Sequence, residues 1–416
     1  MIGNKKILFK IAIAVIAFAP VLALATNGMN PEGSGAKSRG MGGAGVAIAD
    51  ETQSIINNPA AVTAVGNRQD IAFGLFSPKD RGFTLSGNGA GFNQSQTSDS
   101  NLFAIPFYGY SRQLDGGGAW AFTVNGAGGM NTDYPVNFTT SPALGPTGLD
   151  LAQLFFGATY GSEISDSLAW GATVSLAYAR FSAEGLEAFA GASSDPTKLS
   201  DNGTDDATGI GLKVGLLGQL KNGVSWGASY QFKTDMSEFD KYSGLIADQG
   251  DLDIAPTFTV GVALPISDKT TLALDYHYID YEAVTAMSNP TSLFPPTTFG
   301  STNGPGFGWQ SISVVKAGIA VETSPTMIWR GGVNIGESPL VGDEFSTAFI
   351  LPATITTHAT AGFTKKLKNG HELTGVFVHS FEECQTDPFS PTFGGGTLEV
   401  CVEQNFLELS YGWIFK

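Results

Sequence analysis

Residues 40–45 read Gly-Met-Gly-Gly-Ala-Gly, a G-x-G-x-x-G spacing, and Asn58-Pro59-Ala60 follow a short way on. Glycines so spaced can admit a pyrophosphate to the backbone, provided that a strand leads in and a helix follows. The lead-in here, residues 27–39, is polar and glycine-rich, and no alternation of strands with helices appears anywhere in the chain. Dinucleotide chemistry is therefore excluded, and no cofactor is expected. Cys384 and Cys401 enclose the segment CQTDPFSPTFGGGTLEVC. In an exported chain such a pair reads as a disulfide. The four histidines, at 277, 358, 371 and 379, have no zinc-ligand spacing with the cysteines, so no metal site is expected. A barrel hydrolase would need a Ser–His–acid set. His358 and His379 fall on candidate strands, but no G-x-S-x-G accompanies them.

Small residues and a proline can serve a different purpose once the elements around them are read. The chain opens with Lys5, Lys6 and Lys10, an apolar run from Ile11 to Ala19, and Ala23-Leu24-Ala25. That is the form of a secretory signal peptide over residues 1–25. No later segment has 18 consecutive apolar residues, so helical spans are excluded. Only 14% of residues are charged, and the 29 phenylalanines outnumber lysine and arginine together. An exported chain of this composition points to the other structure that satisfies every backbone group in lipid, the β-barrel. The net charge of −16 argues against nucleic acid as a partner.

The hydrophobic period is two. Val224, Trp226, Ala228, Tyr230 and Phe232 alternate with Ser225, Gly227, Ser229, Gln231 and Lys233. Leu272, Leu274, Tyr276 and Tyr278 alternate with Ala273, Asp275, His277 and Ile279. Large apolar residues on one face and small or polar ones on the other fit a lipid-facing wall around a polar lumen. About fourteen such strands can be placed, from 69–77 to 402–415, in which Leu407, Leu409, Tyr411, Trp413 and Phe415 share a face. Their connections alternate strictly between long (78–101 through 382–401) and short (113–117 through 367–370). Short turns on one side and long loops on the other describe a barrel inserted from the periplasm, with both chain ends on that side. The expected fold is an all-β transmembrane antiparallel barrel over residues 69–416. Residues 26–68, before the first strand, form a compact segment that can fill the lumen. Glycine allows close approach there, and Pro59 fixes a turn where no ladder donor is needed.

The stretch SGAKSRGMGGAGVAIADETQSIINNPA at 34–60 resembles the amino-terminal hatch of the FadL family. These are outer-membrane transporters of long-chain fatty acids and other hydrophobic compounds. VNGAGGMNTDY at 124–134 and YSGLIADQGDLDIAP at 242–256 carry the resemblance further. It implies a fourteen-stranded barrel and a passive route. A hydrophobic solute lands between long external loops, enters a pocket, and leaves sideways at a kink in the third strand when the hatch moves. On that reading Asn58, Pro59 and Ala60 are the hatch trigger, and Gly126, Gly128 and Gly129 the kink. Leu186, Phe189, Leu245 and Ile246 line the landing groove. Arg330 has inward parity and is a candidate lumen cation for a solute carboxylate, with Asp275 as its competing partner. The expected partners are a hydrophobic small molecule and the lipid and lipopolysaccharide of the outer membrane, and a monomer is expected. The competing functions are a general porin, which would have a wetter and more charged lumen, and a lipase-like barrel enzyme.

Overall fold

The computed structural model describes residues 27–141 and 143–415, so the leader segment 1–25 lies outside the described residues. Fourteen antiparallel strands close into a barrel, each hydrogen-bonded to the next along the chain, except where noted below. They are β1 (Arg68–Ser86), β2 (Phe103–Gln113), β3 (Gly118–Tyr134), β4 (Thr147–Ser165), β5 (Leu168–Glu184), β6 (Asp205–Gln219) and β7 (Ser225–Gln231). The second half comprises β8 (Thr257–Ser267), β9 (Thr270–Ile279), β10 (Ile312–Ser324), β11 (Met327–Gly336), β12 (Thr357–Lys366), β13 (Glu372–Pro388) and β14 (Thr397–Ile414). Pairing of β1 with β14, from Arg68↔Ile414 to Ser86↔Thr397, closes the ring. A short strand, Gln94–Thr97, folds back onto the end of β1.

Alternation along the strands sorts side chains between lipid and lumen. Phe73, Leu75, Trp170, Val174, Leu176, Leu407 and Leu409 are exposed on the outer wall. The residues between them, such as Ala72, Ala169, Ala177 and Glu408, are buried. Near the short turns, Tyr110 with Trp120, Tyr160 with Trp170, and Trp329 with Phe363 pair as an aromatic girdle, as interfacial side chains do.

The wall is uneven in height. β1 and β4 have 19 residues each and β14 has 18, whereas β7 has 7 and β11 and β12 have 10. This corrects the sequence-derived loop boundaries: part of what read as the connections 78–101 and 382–401 is strand. Polar residues there obscured the period, because the strands run beyond the membrane, where the outer face no longer needs to be apolar. Cys384 and Cys401 are accordingly cross-strand partners on β13 and β14, joined by a disulfide, and the true loop is 389–396.

Residues 27–67 lie inside the ring. Their short helices, Ala36–Arg39, Ser54–Asn57 and Val62–Val65, are too brief to be stable alone and are held by the surrounding strands. Wall glycines make room for them. A Cβ on Gly109 would collide with Thr52, on Gly171 with Pro59, on Gly215 with Asn58, on Gly227 with Val46, on Gly318 with Met41 and on Gly332 with Gly42. These six glycines sit on six different strands, spread around the ring. Their value is the missing side chain: none of them has positive φ. Gly42 and Gly43 of the segment do, at 70° and 82°, and make the tight turn against β11.

Candidate functional site

The interior divides into an ionic lower part, a cavity, and an apolar roof. At the bottom, the plug segment is fastened to the wall by buried charge pairs. Lys37 Nζ stands 2.9 Å from Glu372 on β13; beside it Arg68 of β1, bound to Glu372 at 3.2 Å and Asp70 at 2.7 Å within the wall, donates to the plug's Asp50 carbonyl at 2.7 Å. Arg39 pairs with Glu32 at 2.8 Å and with Glu408 on β14, and its guanidinium lies 4.6 Å over the Phe406 ring. Thr52 donates its amide and hydroxyl to Asp70. Within the plug, Glu51 accepts from the Lys37 amide at 3.0 Å, and burial pushes its carboxyl up to about 8 against the opposing pull of Lys37.

Asn58-Pro59-Ala60 is wedged against β5 and β6. The Asn58 side chain donates to the carbonyls of Val46 and Leu216, both at 2.8 Å, and caps the following turn by accepting from the Ala60 amide. One amide side chain therefore joins two parts of the plug to the wall. Pro59 supplies the first position of that turn, where no backbone donor is needed.

Arg330 does not meet Asp275. It faces the plug, 3.7 Å from Asp50, and donates to Thr364 at 2.7 Å. Asp275 instead accepts the plug amides of Gly45 and Val46, at 2.7 and 2.9 Å. Both side chains are buried inside the ring, and the threading of the plug decided their partners.

Above Asn58 a cavity of about 140 Å³ separates plug from wall. Met29, Val46, Ile55 and Ile56 line it from the plug, and Phe155, Leu212, Ile254 and Met287 from the opposite side. Lys213 of β6, Lys316 of β10 and His277 of β9 also face it. Lys213 donates to the Ile56 carbonyl at 2.7 Å, and among the described residues no carboxylate lies within ion-pair distance of either lysine. The sequence reading passed over these two cations. The signal was present: each has the inward parity of its strand, between exposed Leu212 and Val214 and after exposed Val315.

The roof is a continuous apolar cluster of loops and strand ends. Phe138 stacks on Phe349 with ring centroids 4.2 Å apart, Phe83 meets Tyr134 at 4.9 Å, and Phe189 meets Phe393 at 4.9 Å. Of the four residues assigned to a landing groove, Leu186 and Ile246 are closed into this cluster, 5% and 2% exposed. Phe189 and Leu245 are half-buried at its edge, where Phe92, Phe307 and Phe393 also lie. Tyr281 ties roof to plug: its hydroxyl accepts from the Met29 amide and donates to the Asn27 carbonyl.

One seam of the wall is incomplete. The β2–β3 ladder runs from Gln113↔Ala119 to Phe107↔Asn125 and stops. Beyond it, Phe103–Pro106 continue along β1, while Gly129–Tyr134 continue along β4. Gly126, Gly128 and Gly129 sit at the break, where the β3–β4 register shifts between Gly126 and Gly129, and Gly129 has φ 150°. Pro106, opposite, offers no backbone donor. Phe103 and Ile105 fill the seam by packing in one cluster with Ala152 and Leu154 of β4. A small pocket behind it is lined by Gln53, Arg39 and Ile56 of the plug together with Pro106, Asn125, Gly126 and Glu408.

A closed lipid-facing barrel of fourteen strands, with its lumen occupied by the chain's own first segment, defines an outer-membrane channel protein. The chain matches a family model, outer membrane protein transport protein (OMPP1/FadL/TodX), over residues 11–245, and it belongs to that family. Solved structures share the fold at low identity. The toluene transporter TodX of P. putida aligns at 17% identity over 92% of this chain and 99% of its own, with a TM-score of 0.69. A Pseudomonas aeruginosa FadL homologue aligns at 13% over 96% and 100%, with a TM-score of 0.67. The Ralstonia pickettii toluene transporter TbuX aligns at 16% over 92% and 99%, with a TM-score of 0.63. No curated protein matches the sequence.

Proposed function

We propose that the protein carries hydrophobic carboxylates, long-chain fatty acids foremost, passively across the outer membrane by a plug-gated route with a sideways exit. The observation that carries the carboxylate assignment is the pair of half-buried Lys213 and buried Lys316, which face one cavity with no carboxylate within ion-pair distance among the described residues, the nearest acid on the cavity wall being Asp275, whose Oδ2 is taken by plug amides. A charged nitrogen in a confined, partly apolar site favours an anionic head group, and a fixed pair orients it. The tail is drawn by burial, about 0.8 kcal/mol per methylene removed from water. The edge of the aromatic roof, at Phe189 and Leu245, offers the first such surface.

Tight burial has to be undone for transport to proceed. The 140 Å³ cavity holds little more than one ring or a short stretch of acyl chain. An elongated solute therefore needs the plug to shift, and the Asn58 side chain is the hinge point that couples plug to wall. The β2–β3 seam then gives a dry exit, so the tail need not cross a watery pore. In this arrangement the short turns and both chain ends face the periplasm and the barrel acts as a monomer within lipopolysaccharide and phospholipid.

The test is uptake by cells lacking their own channel and expressing this chain. Lys213→Met with Lys316→Met should reduce palmitate uptake at least tenfold and leave toluene uptake within twofold. Equal loss of both, or of neither, would rule out carboxylate recognition. A second reading, a neutral monoaromatic solute, is favoured by the cavity's volume, close to that of sites which hold benzene. It predicts toluene uptake that the two substitutions do not impair and negligible palmitate uptake in the unaltered protein.

A further inference from the structure

At the upper end of the β2–β3 seam one side chain bonds to both of its walls. β1 carries a bulge between Lys79 and Gly82, opposite β14. Bulges re-aim side chains, and this one turns Arg81 across the seam. Its Nη2 donates to the Ser100 carbonyl at 2.6 Å, to Ser98 Oγ at 3.1 Å and to Asn131 Oδ1 of β3 at 3.3 Å. Arg81 is 3% exposed, and every one of these acceptors is neutral. Beside it, the segment before β2 rejoins β3: the Asp99 amide donates to the Asp133 carbonyl at 2.8 Å, and the Asp133 amide to Ser98 Oγ at 3.0 Å. The seam thus has a lower limit at Phe107↔Asn125 and an upper limit at Arg81.

A second layer fixes the first. Asn131 donates its amide to Asp150 Oδ1 of β4 at 3.1 Å, which turns its carbonyl oxygen toward Arg81. Asp150 is held in turn by Arg180 of β5 at 3.0 Å. The relay Arg81–Asn131–Asp150–Arg180 runs across β1, β3, β4 and β5 at one height. A fully buried guanidinium without a carboxylate partner is costly, and its hydrogen bonds must be held in place to offset that cost. Retaining an arginine here indicates that its long cationic side chain, whose Nη2 amino group gathers three acceptors from two separate segments, has a use that an apolar residue would not supply.

We infer that Arg81 is a positioning residue that fixes the upper edge of the seam and so sets the width of solute able to leave sideways. This rests on the lateral-exit reading above. Without that amino group, segment 98–102 and the upper half of β3 are joined by the Asp99–Asp133 and Asp133–Ser98 bonds alone, and the seam lengthens upward from Ile105 and Leu154. Narrow acyl chains, which already pass, gain little, while wide rigid solutes gain most.

The experiment compares initial uptake of pyrene and palmitate by cells expressing the full-length protein. Arg81→Ala should raise the pyrene-to-palmitate ratio at least threefold. Arg81→Lys, whose ammonium has three N–H donors but sits on a side chain one bond shorter than the arginine's, should fall between. Asp99→Cys with Asp133→Cys, oxidised in the Arg81→Ala background, should return the ratio to that of the unaltered protein by replacing the bridge covalently. If Arg81→Ala fails to fold, Asn131→Ala removes one side of the bridge and carries the same expectation. A ratio unchanged in folded barrels, or one not restored by the cysteine pair, overturns the inference. Ile105→Cys with Leu154→Cys tests the underlying route separately. Oxidation should stop uptake of both solutes, and undiminished uptake would remove the lateral exit itself. Blocked uptake with an unchanged ratio in Arg81→Ala would sink only the role of Arg81.

Discussion

The two halves of the barrel interior are filled by opposite chemistries. In the lower half Lys37 and Arg39 of the plug pair with Glu372 and Glu408 of the wall, and Asp50 of the plug faces Arg330 and accepts from Arg68 through its carbonyl. In the upper half the loops are held by Phe83, Phe138, Tyr134, Phe349 and their neighbours. Ion pairs in a dry interior are directional, and removing one partner strands the other at high cost, so the plug is either seated or displaced. Apolar packing tolerates small rearrangements at modest cost, so the roof can accommodate a greasy solute in more than one pose. A gate suits the first kind of bonding and a landing surface suits the second.

If the halves are independent, damage to one should spare the other. The largest effect is expected from Arg39→Ala, which leaves Glu32 and Glu408 facing each other unpaired. It should cost the seated plug about 3–5 kcal/mol. Planar-bilayer recordings should show frequent large openings, while hydrogen exchange in loops 135–146 and 337–356 stays slow. Phe138→Ala is the converse. Truncating a buried phenylalanine costs about 3–5 kcal/mol in a rigid core, and toward the lower figure here, because loops can collapse into the space. It should speed exchange in those same loops and leave conductance quiet. If either variant loosens both halves, the division described above is wrong.

Gly171→Ala sharpens the picture on a smaller scale. The added methyl would overlap the Pro59 carbonyl, so overpacking should cost about 1–3 kcal/mol, borne by the plug rather than by the β4–β5–β6 ladder. Protease sensitivity of residues 40–60 should rise in a barrel that still migrates as folded. A pH-dependent effect, smallest in acid, is expected from Glu51→Gln. The folded-state value of Glu51 is raised, to about 8, so its protonated form is favoured in the seated plug. Its contribution is complete below the ordinary glutamate range and is lost as pH rises toward 8. Plug docking should therefore weaken with alkalinity. The glutamine variant, which resembles the protonated acid, should match the parent at pH 5 and outlast it at pH 9. A parent protein whose plug is equally protease-resistant at both pH values would refute this.

Much of the fold was readable because a lipid-facing wall leaves a simple record. Val174 and Leu176 on one face of β5, or Leu407 and Leu409 on one face of β14, must be apolar whatever else the protein does. The alternation of long and short connections follows from how such a barrel lies in its membrane. Where the wall leaves the lipid, near Cys384 and Cys401, that constraint ends, and strand was mistaken for loop.

The site was less readable. Asn58 and the glycines at 126–129 stood out by composition and resemblance, yet Lys213 and Lys316 looked like ordinary inward polar residues on β6 and β10. Nothing along the chain says that residues about a hundred apart share one cavity. Arg81 was invisible for a further reason, since a bulge breaks the parity by which its direction would be judged.

The sequence by itself determined the solvent of each face, the number and order of strands, and a small-residue segment narrow enough to fit within them. These depend on local periodicity and on the composition that lipid imposes. The tertiary structure alone decided which charges meet: Arg330 with Asp50, Asp275 with the amides of Gly45 and Val46, Lys37 with Glu372. Those pairings follow from how the plug threads the ring, a non-local choice made by the summed fit of glycines and ions around the whole circumference.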